Sequence, residues 1–253
     1  MQAWERTAAM TEPLSAQPLS ADTREKLAAV STATLTTQLF KRGLRNVFIQ
    51  GVSRLTAAHD RSMVGPAFTL RYIPAREDID TLEVFQDYDH PQRKAIETCP
   101  EGHVLVMDCR TDASAASAGS ILVTRLMMRG AAGLVTDGGL RDSPEICDFE
   151  MPTYIGAPSA PTNLIKHHAV ETLNQPIGCG GVAVYPGDIV VGDLEGVVII
   201  PRHLADEVAR DAFEQEQLEE FIIGEVRSGK PLRGTYPPDA DAKARYQAWR
   251  KGR

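Results

Sequence analysis

The amino-acid sequence predicts an α/β fold, and three observations carry that prediction. The apolar run His103–Asp108, the helical pattern starting at Ser120 and the strand pattern Gly133–Asp137 make a strand–helix–strand unit, which implies parallel pairing. Two helical stretches precede the first strand. A long acidic amphipathic helix, Arg202 to about Val226, follows the last one.

Taken in order, residues 1–20 are polar, proline-containing and aperiodic, the composition of a mobile arm. Residues 21–229 are expected to form one domain and 230–253 a C-terminal extension. Ser20 or Asp22 caps the helix REKLAAV, and Thr34–Leu44 continues as a second helix. Gly65–Ile73 alternates Phe68, Leu70 and Tyr72 against Ala67, Thr69 and Arg71, the period of a half-buried strand. Pro74–Pro100 is acidic and aromatic and reads as a solvated loop and helix rather than a metal cage. His103–Asp108 is a buried strand. The small residues of TDASAASAGS then let backbone approach backbone or a ligand.

Val123, Leu126 and Met127 recur at helical spacing, and Gly130 stops that helix. After the strand Gly133–Asp137, DGGL is expected to be a glycine turn that ends in the pair Arg141–Asp142. Thr153–Ile155, Val182–Tyr185, Ile189–Val191 and Val197–Ile200 read as further strands, with turns at Pro186–Asp188 and Asp193–Gly196. The tail is polar and ends basic; it either packs across a neighbouring subunit or stays mobile.

Composition excludes several functions. Hydrophobic content of 43% and charged content of 24% are those of an ordinary globular protein. The chain has no run of about 18 apolar residues for a membrane span. Glu5 and Glu12, with no apolar stretch between the charges, do not make a secretory signal, so a cytoplasmic location is expected. A net charge of −7 argues against a nucleic-acid partner. Cys99, Cys109, Cys147 and Cys179 form no CxxC pair and read as reduced, mostly buried thiols.

Chemistry is expected around Ser120–Asp142. A helix N-terminus at Ser120 offers backbone N–H groups and the positive end of a dipole to an anion, with Ser120 itself a plain N-cap. Arg141 can grip a carboxylate by two parallel hydrogen bonds. Asp142 is a hard-oxygen ligand suited to Mg²⁺, which keeps several waters and takes one or two protein carboxylates. The plainer alternative for the pair is a surface salt bridge. Asp137 organises the glycine turn, and His167–His168, being adjacent, face different directions and have a capping or surface role. Glu214, Glu216, Glu219 and Glu220 form a solvated helix face, from which one member can reach a site across an interface.

The motifs STATLTTQL, GSIL, DGGLRD and CGGVAVYPGDIVVGDLEGVVIIP together resemble the RraA-like family, over roughly Ser31–Gly229. That family includes the class II 4-hydroxy-4-methyl-2-oxoglutarate/4-carboxy-4-hydroxy-2-oxoadipate aldolases and the regulator of ribonuclease E activity. The resemblance implies a swivelling β/β/α fold and a trimeric ring, or two stacked rings, with sites between subunits. It implies Mg²⁺ or Mn²⁺ held through waters by Asp142, and a pyruvoyl carboxylate held by Arg141 and by the backbone amides of Ser120, Ile121 and Leu122. It also implies a supporting glutamate from the next subunit's C-terminal helix, aligned with Glu219.

One position departs from the family pattern. Its active aldolases carry an acid twenty-one residues before the Arg, where this chain has Ser120. A serine hydroxyl is too weak an acid to act unaided as a base near neutral pH. Retro-aldol cleavage needs a proton taken from a hydroxyl, whereas decarboxylation of oxaloacetate does not. The expectation is therefore a metal-dependent lyase acting on a small 2-oxo acid, with aldolase activity weakened. A non-catalytic regulator that binds a ribonuclease, or a sugar-acid dehydratase on the same scaffold, is the alternative.

Overall fold

The structure is a computed structural model that describes residues 19–57 and 62–252. The expected N-terminal arm lies outside the described residues except for Leu19 and Ser20. Helix α1 (Ala21–Ala28) is capped by Ser20 Oγ, which accepts from Thr23 N. Helix α2 (Thr32–Lys41) is capped by Ser31 Oγ. The Asp193 carboxylate of the predicted Asp193–Gly196 turn also accepts from Thr32 N and Oγ1, each at 2.8 Å. Strands β1 (Ser53–Arg54) and β2 (Met63–Pro74) come next, then a single 3₁₀ turn Leu82–Gln86 and helix α3 (Pro91–Thr98). Strands β3 (Val104–Asp108) and β4 (Ala116–Ala118) lead into α4 (Ser120–Met128) and β5 (Gly133–Leu140). A short α5 (Ser143–Ile146) precedes β6 (Thr153–Pro158), β7 (His167–Ala169), β8 (Ile177–Cys179) and β9 (Val182–Val184). Strands β10 (Ile189–Gly192) and β11 (Val197–Ile200) end the sheet, and helices α6 (Ala205–Arg227) and α7 (Ala240–Lys251) end the chain.

The main sheet runs β1-β6-β5-β3-β2-β10-β11, with β4 also on β5 and β7 also on β2. Pairs β2·β3, β3·β5, β4·β5 and β5·β6 are parallel, as the strand–helix–strand unit requires. The remaining pairs are antiparallel, at the two ends of the sheet.

The central strands are largely apolar because the sheet is covered on both faces. Val104 and Val106 point to one cluster with Val135, Tyr154 and Val190, while Leu105 and Met107 point to another with Val123 and Leu126 of α4. Beyond β2, Ile189, Val191, Val198 and Ile200 meet Leu27, Leu35, Leu39, Val208 and Ala212 of the helices α1, α2 and α6. β2 is therefore covered more fully than its half-buried pattern suggests: Thr69 is buried and only its far end is exposed.

The tail forms α7, which lies on α6 of the same chain. Phe221, Tyr246 and Trp249 put their ring centroids 5.7–6.0 Å apart. Arg250–Glu214 (2.6 Å) and Arg245–Glu225 (2.8 Å) flank that cluster. The Arg250–Glu214 pair is exposed, and such pairs contribute about 0–1 kcal/mol, whereas Glu225 is half-buried between Arg245 and Lys230. The three rings supply the apolar contact between the helices. Among the described residues no helix is long and apolar enough to cross a membrane.

Candidate functional site

β4 and β5 end side by side, and this pairing builds the site. Ala118 is in register with Leu140, and Arg141 N donates to Ala118 O at 3.1 Å. Residues 119–120 and 141–142 are thereby brought together at the carboxyl ends of parallel strands, where ligands bind in open α/β sheets. DGGL is not the expected turn: Gly138 and Gly139 belong to β5, which bulges between Thr136 and Gly139. They are glycines because neighbours leave no room. A Cβ on Gly138 would lie 2.6 Å from Cys109 Sγ, and one on Gly139 would lie 2.5 Å from Ser159 Cβ. The chain turns later, at Asp142, which is left-handed (φ 57°, ψ 30°), a conformation Asp adopts more readily than most residues.

Ser120 is the first helical residue rather than the N-cap, which is Gly119. The capping acceptor comes from elsewhere: Ser120 N donates to Asp142 Oδ2 at 3.2 Å. The first intrahelical bond is Val123 N to Gly119 O, so with Ser120 N on Asp142 the amides of Ile121 and Leu122 are the ones the first turn leaves open. Arg141 Nε lies 3.6 Å from Asp142 Oδ2, and the two side chains are 49% and 40% exposed. Gly119 has φ −130°, open to any residue, but a Cβ there would lie 2.8 Å from both Arg141 Cγ and Asp142 Oδ2. Its role is space. Gly119→Ala is expected to displace the Arg–Asp pair and lower kcat/KM on a 2-oxo acid about 10²-fold, with little change in melting temperature. Unchanged kcat/KM would refute this.

Gly119, Ile121, Leu122, Arg141 and Asp142 line a cleft of about 360 Å³ with Phe85, Gln92, Arg93 and Asn163, whereas Ser120 is buried and is not in that lining. Asp142 is the one carboxylate in that lining. Among the described residues no three His, Cys, Asp or Glu side chains gather as a metal cage. One exposed carboxylate does not make a closed protein site, but it matches a Mg²⁺ or Mn²⁺ ion that keeps most of its waters. Glu219 does not reach this cleft within the chain; it accepts from Gln215 Nε2 at 2.7 Å and lines two other clefts.

Asp137 organises more than a glycine turn. Its carboxylate accepts from Cys109 N (2.5 Å), Thr111 N (3.0 Å) and Gly180 N (2.9 Å), tying the end of β3 to β8 and β9. Burial pushes its carboxyl up from the ordinary aspartate range, and the three N–H donors oppose that shift. Asp137→Ala orphans all three, so a loss on the order of 3 kcal/mol is expected in urea denaturation; a loss under about 1 kcal/mol would show that water replaces the carboxylate. His167 and His168 face opposite ways, as adjacency requires. His167 is buried, not surface, with Nε2 3.3 Å from Ala115 O and its ring 5.7 Å from Tyr72. His168 Nδ1 lies 2.8 Å from Asp80 Oδ1.

Sequence reasoning missed Gly119, Phe85 and Arg93. β4 is only three residues of Ala and Ser, too short and too small-sided to announce a strand. Without its register nothing places Gly119 beside Arg141.

The family model of RraA-like proteins, described as Aldolase/RraA, matches residues 32–199. A putative 4-hydroxy-4-methyl-2-oxoglutarate aldolase of Halalkalibacterium halodurans is 30% identical over 169 residues, 65% of this chain and 74% of the relative. The 4-hydroxy-4-methyl-2-oxoglutarate aldolase of Thermus thermophilus is 29% identical over 123 residues, 49% of this chain and 73% of the relative. Two other relatives are matched over only 54% and 26% of their own length. The crystal structure of Streptomyces coelicolor RraAS2, "an unusual member of the RNase ES inhibitor RraA protein family", superposes with a TM-score of 0.70 at 29% identity, covering 81% of this chain and 97% of that one. With its sheet order, its helices and its Arg–Asp turn, the chain belongs to the RraA-like family.

Proposed function

We propose that this protein is a divalent-metal-dependent lyase that acts on a small 2-oxo acid through a pyruvate enolate, and that it favours oxaloacetate decarboxylation over aldol cleavage. The observation that carries the reading is the Arg141–Asp142 turn held against the N-terminus of α4. Arg141 grips the substrate carboxylate with its planar fork and places positive charge beside the developing enolate. The open first turn of α4 offers further N–H donors to the same carboxylate. Mg²⁺ or Mn²⁺, held through water by Asp142, would supply Lewis-acid stabilisation of charge on the 2-oxo oxygen. Ser120 supplies no base, so cleavage that begins by deprotonating a hydroxyl is the slower reaction.

The same reading places the chain in a homotrimer or hexamer in the cytoplasm, with Glu219 of the next subunit supporting the metal waters. Steady-state assays with oxaloacetate and 4-hydroxy-4-methyl-2-oxoglutarate, with Mg²⁺ or Mn²⁺, test it. Turnover of oxaloacetate above the metal-only control is expected, exceeding that of the aldol; no turnover of either overturns it. Ser120 in place of an acid also favours a second reading, a regulator that binds a ribonuclease. Ribonuclease capture by a protein inert in both assays would establish that one instead.

A further inference from the structure

The side chains that line the Arg141 cleft carry more positive charge than negative. Arg93 joins Arg141 and Asp142 there, and the rest of the lining is uncharged. Asp142 answers Arg141 at 3.6 Å, whereas the partners of Arg93 among the described residues are backbone carbonyls. Its Nη1 donates to Val84 O and Asp87 O at 3.0 Å each, and its Nη2 donates to Phe85 O at 2.8 Å. Carbonyls are neutral, so they fix the guanidinium in place without compensating its charge. They also leave donors over. A guanidinium has five N–H groups, and here the one on Nε and one on Nη2 keep no partner among the described residues. The head group is thereby held beside Phe85, a residue of the same lining, with donors to spare.

Resting on the reading that Arg141 grips a 2-oxo acid, we propose that Arg93 receives the second carboxylate of a 2-oxo dicarboxylate and selects substrates that carry one. Arg141 and the open amides of α4 take the 2-oxo acid group, and Arg93 is the remaining cation of the lining. A carboxylate that enters a cleft loses water and needs a charged donor in its place. The contact acts at one stage of the reaction. As oxaloacetate decarboxylates, the C3–C4 bond breaks and its electron pair passes into the pyruvate enolate. Carbon dioxide leaves uncharged, and C3 takes a proton from solvent. Negative charge thus leaves Arg93, so its contact is stronger in the ground state than in the transition state. Arg93 lowers KM and does not raise kcat.

Calorimetric titration of the full chain, in the assembly it forms and with Mg²⁺ present, reads this pairing without turnover. 2-Oxoglutarate is expected to bind about tenfold or more tightly than pyruvate, the worth of charge-assisted hydrogen bonds. Arg93→Gln should remove that preference and Arg93→Lys keep part of it, with pyruvate affinity unchanged in both. With oxaloacetate as substrate, Arg93→Gln should raise KM about tenfold while kcat does not fall. Equal affinities in the unsubstituted protein, a preference that survives Arg93→Gln, or a fall in kcat at unchanged KM overturns the assignment. Weaker pyruvate binding in both variants overturns it too, since Arg93 is then only a prop for the turn Leu82–Gln86. Pyruvate binding by the unsubstituted protein leaves the Arg141 reading standing in each case. If pyruvate does not bind that protein, the reading falls and the assignment with it.

Discussion

Arg141→Ala is expected to lower kcat/KM on a 2-oxo acid about 10²–10³-fold and to leave the fold intact. The structural role of this side chain is slight. Its ion pair among the described residues is a 3.6 Å contact with Asp142 in which the two side chains are 49% and 40% exposed, and such pairs contribute about 0–1 kcal/mol. The bond from Arg141 N to Ala118 O, which does hold the strand ends together, survives the substitution. Loss of activity with an unchanged melting temperature therefore isolates the guanidinium's part in the reaction. Arg141→Lys is expected to recover little, because a single ammonium does not reproduce the two parallel bonds of the planar fork. Unchanged turnover in Arg141→Ala would remove the basis for a carboxylate-gripping site.

The second large effect is a gain. Ser120→Asp is expected to raise the retro-aldol rate on 4-hydroxy-4-methyl-2-oxoglutarate about 10²-fold or more, with a much smaller change on oxaloacetate. The Ser120 backbone amide lies 3.2 Å from Asp142 Oδ2 and the residue is buried, so the gain requires the introduced carboxylate to turn towards Asp142. Two carboxylates so close resist ionising together, and one is pushed up towards the range of a useful base. Decarboxylation takes no proton from a hydroxyl and gains nothing from that base. The ratio of the two rates, measured on one preparation, is the discriminating quantity. A ratio unchanged from the wild type would show that Ser120 is not what limits aldol cleavage.

Much of the architecture was legible in the residues because burial on two faces writes apolar runs into a sequence. Val104–Met107 and Val197–Ile200 are such runs, and both are central strands. The Asp193–Gly196 and Pro186–Asp188 turns were legible through their glycine and aspartate content, and Asp188 Oδ2 accepts from Tyr185 N at 2.9 Å there. β7 and β8 were not legible, being three residues each and held by pairing rather than by pattern. Helix α7 was hidden for a related reason. Its sequence is mostly polar, and its stability comes from Tyr246 and Trp249 meeting Phe221 on α6.

At the site, the residues alone made the available chemistry legible: a guanidinium, a carboxylate, a helix N-terminus and a serine in place of the acid that the family resemblance leads one to expect. Strand pairing sets how they meet. DGG proved to be strand, because Gly138 and Gly139 lie against Cys109 and Ser159 at distances no side chain permits. The reversal falls on Asp142 instead, and that left-handed residue turns its carboxylate onto Ser120 N. Contacts between residues twenty-two apart depend on strand register, which local propensity does not encode, so β4 beside β5 had to be seen before the site could be drawn.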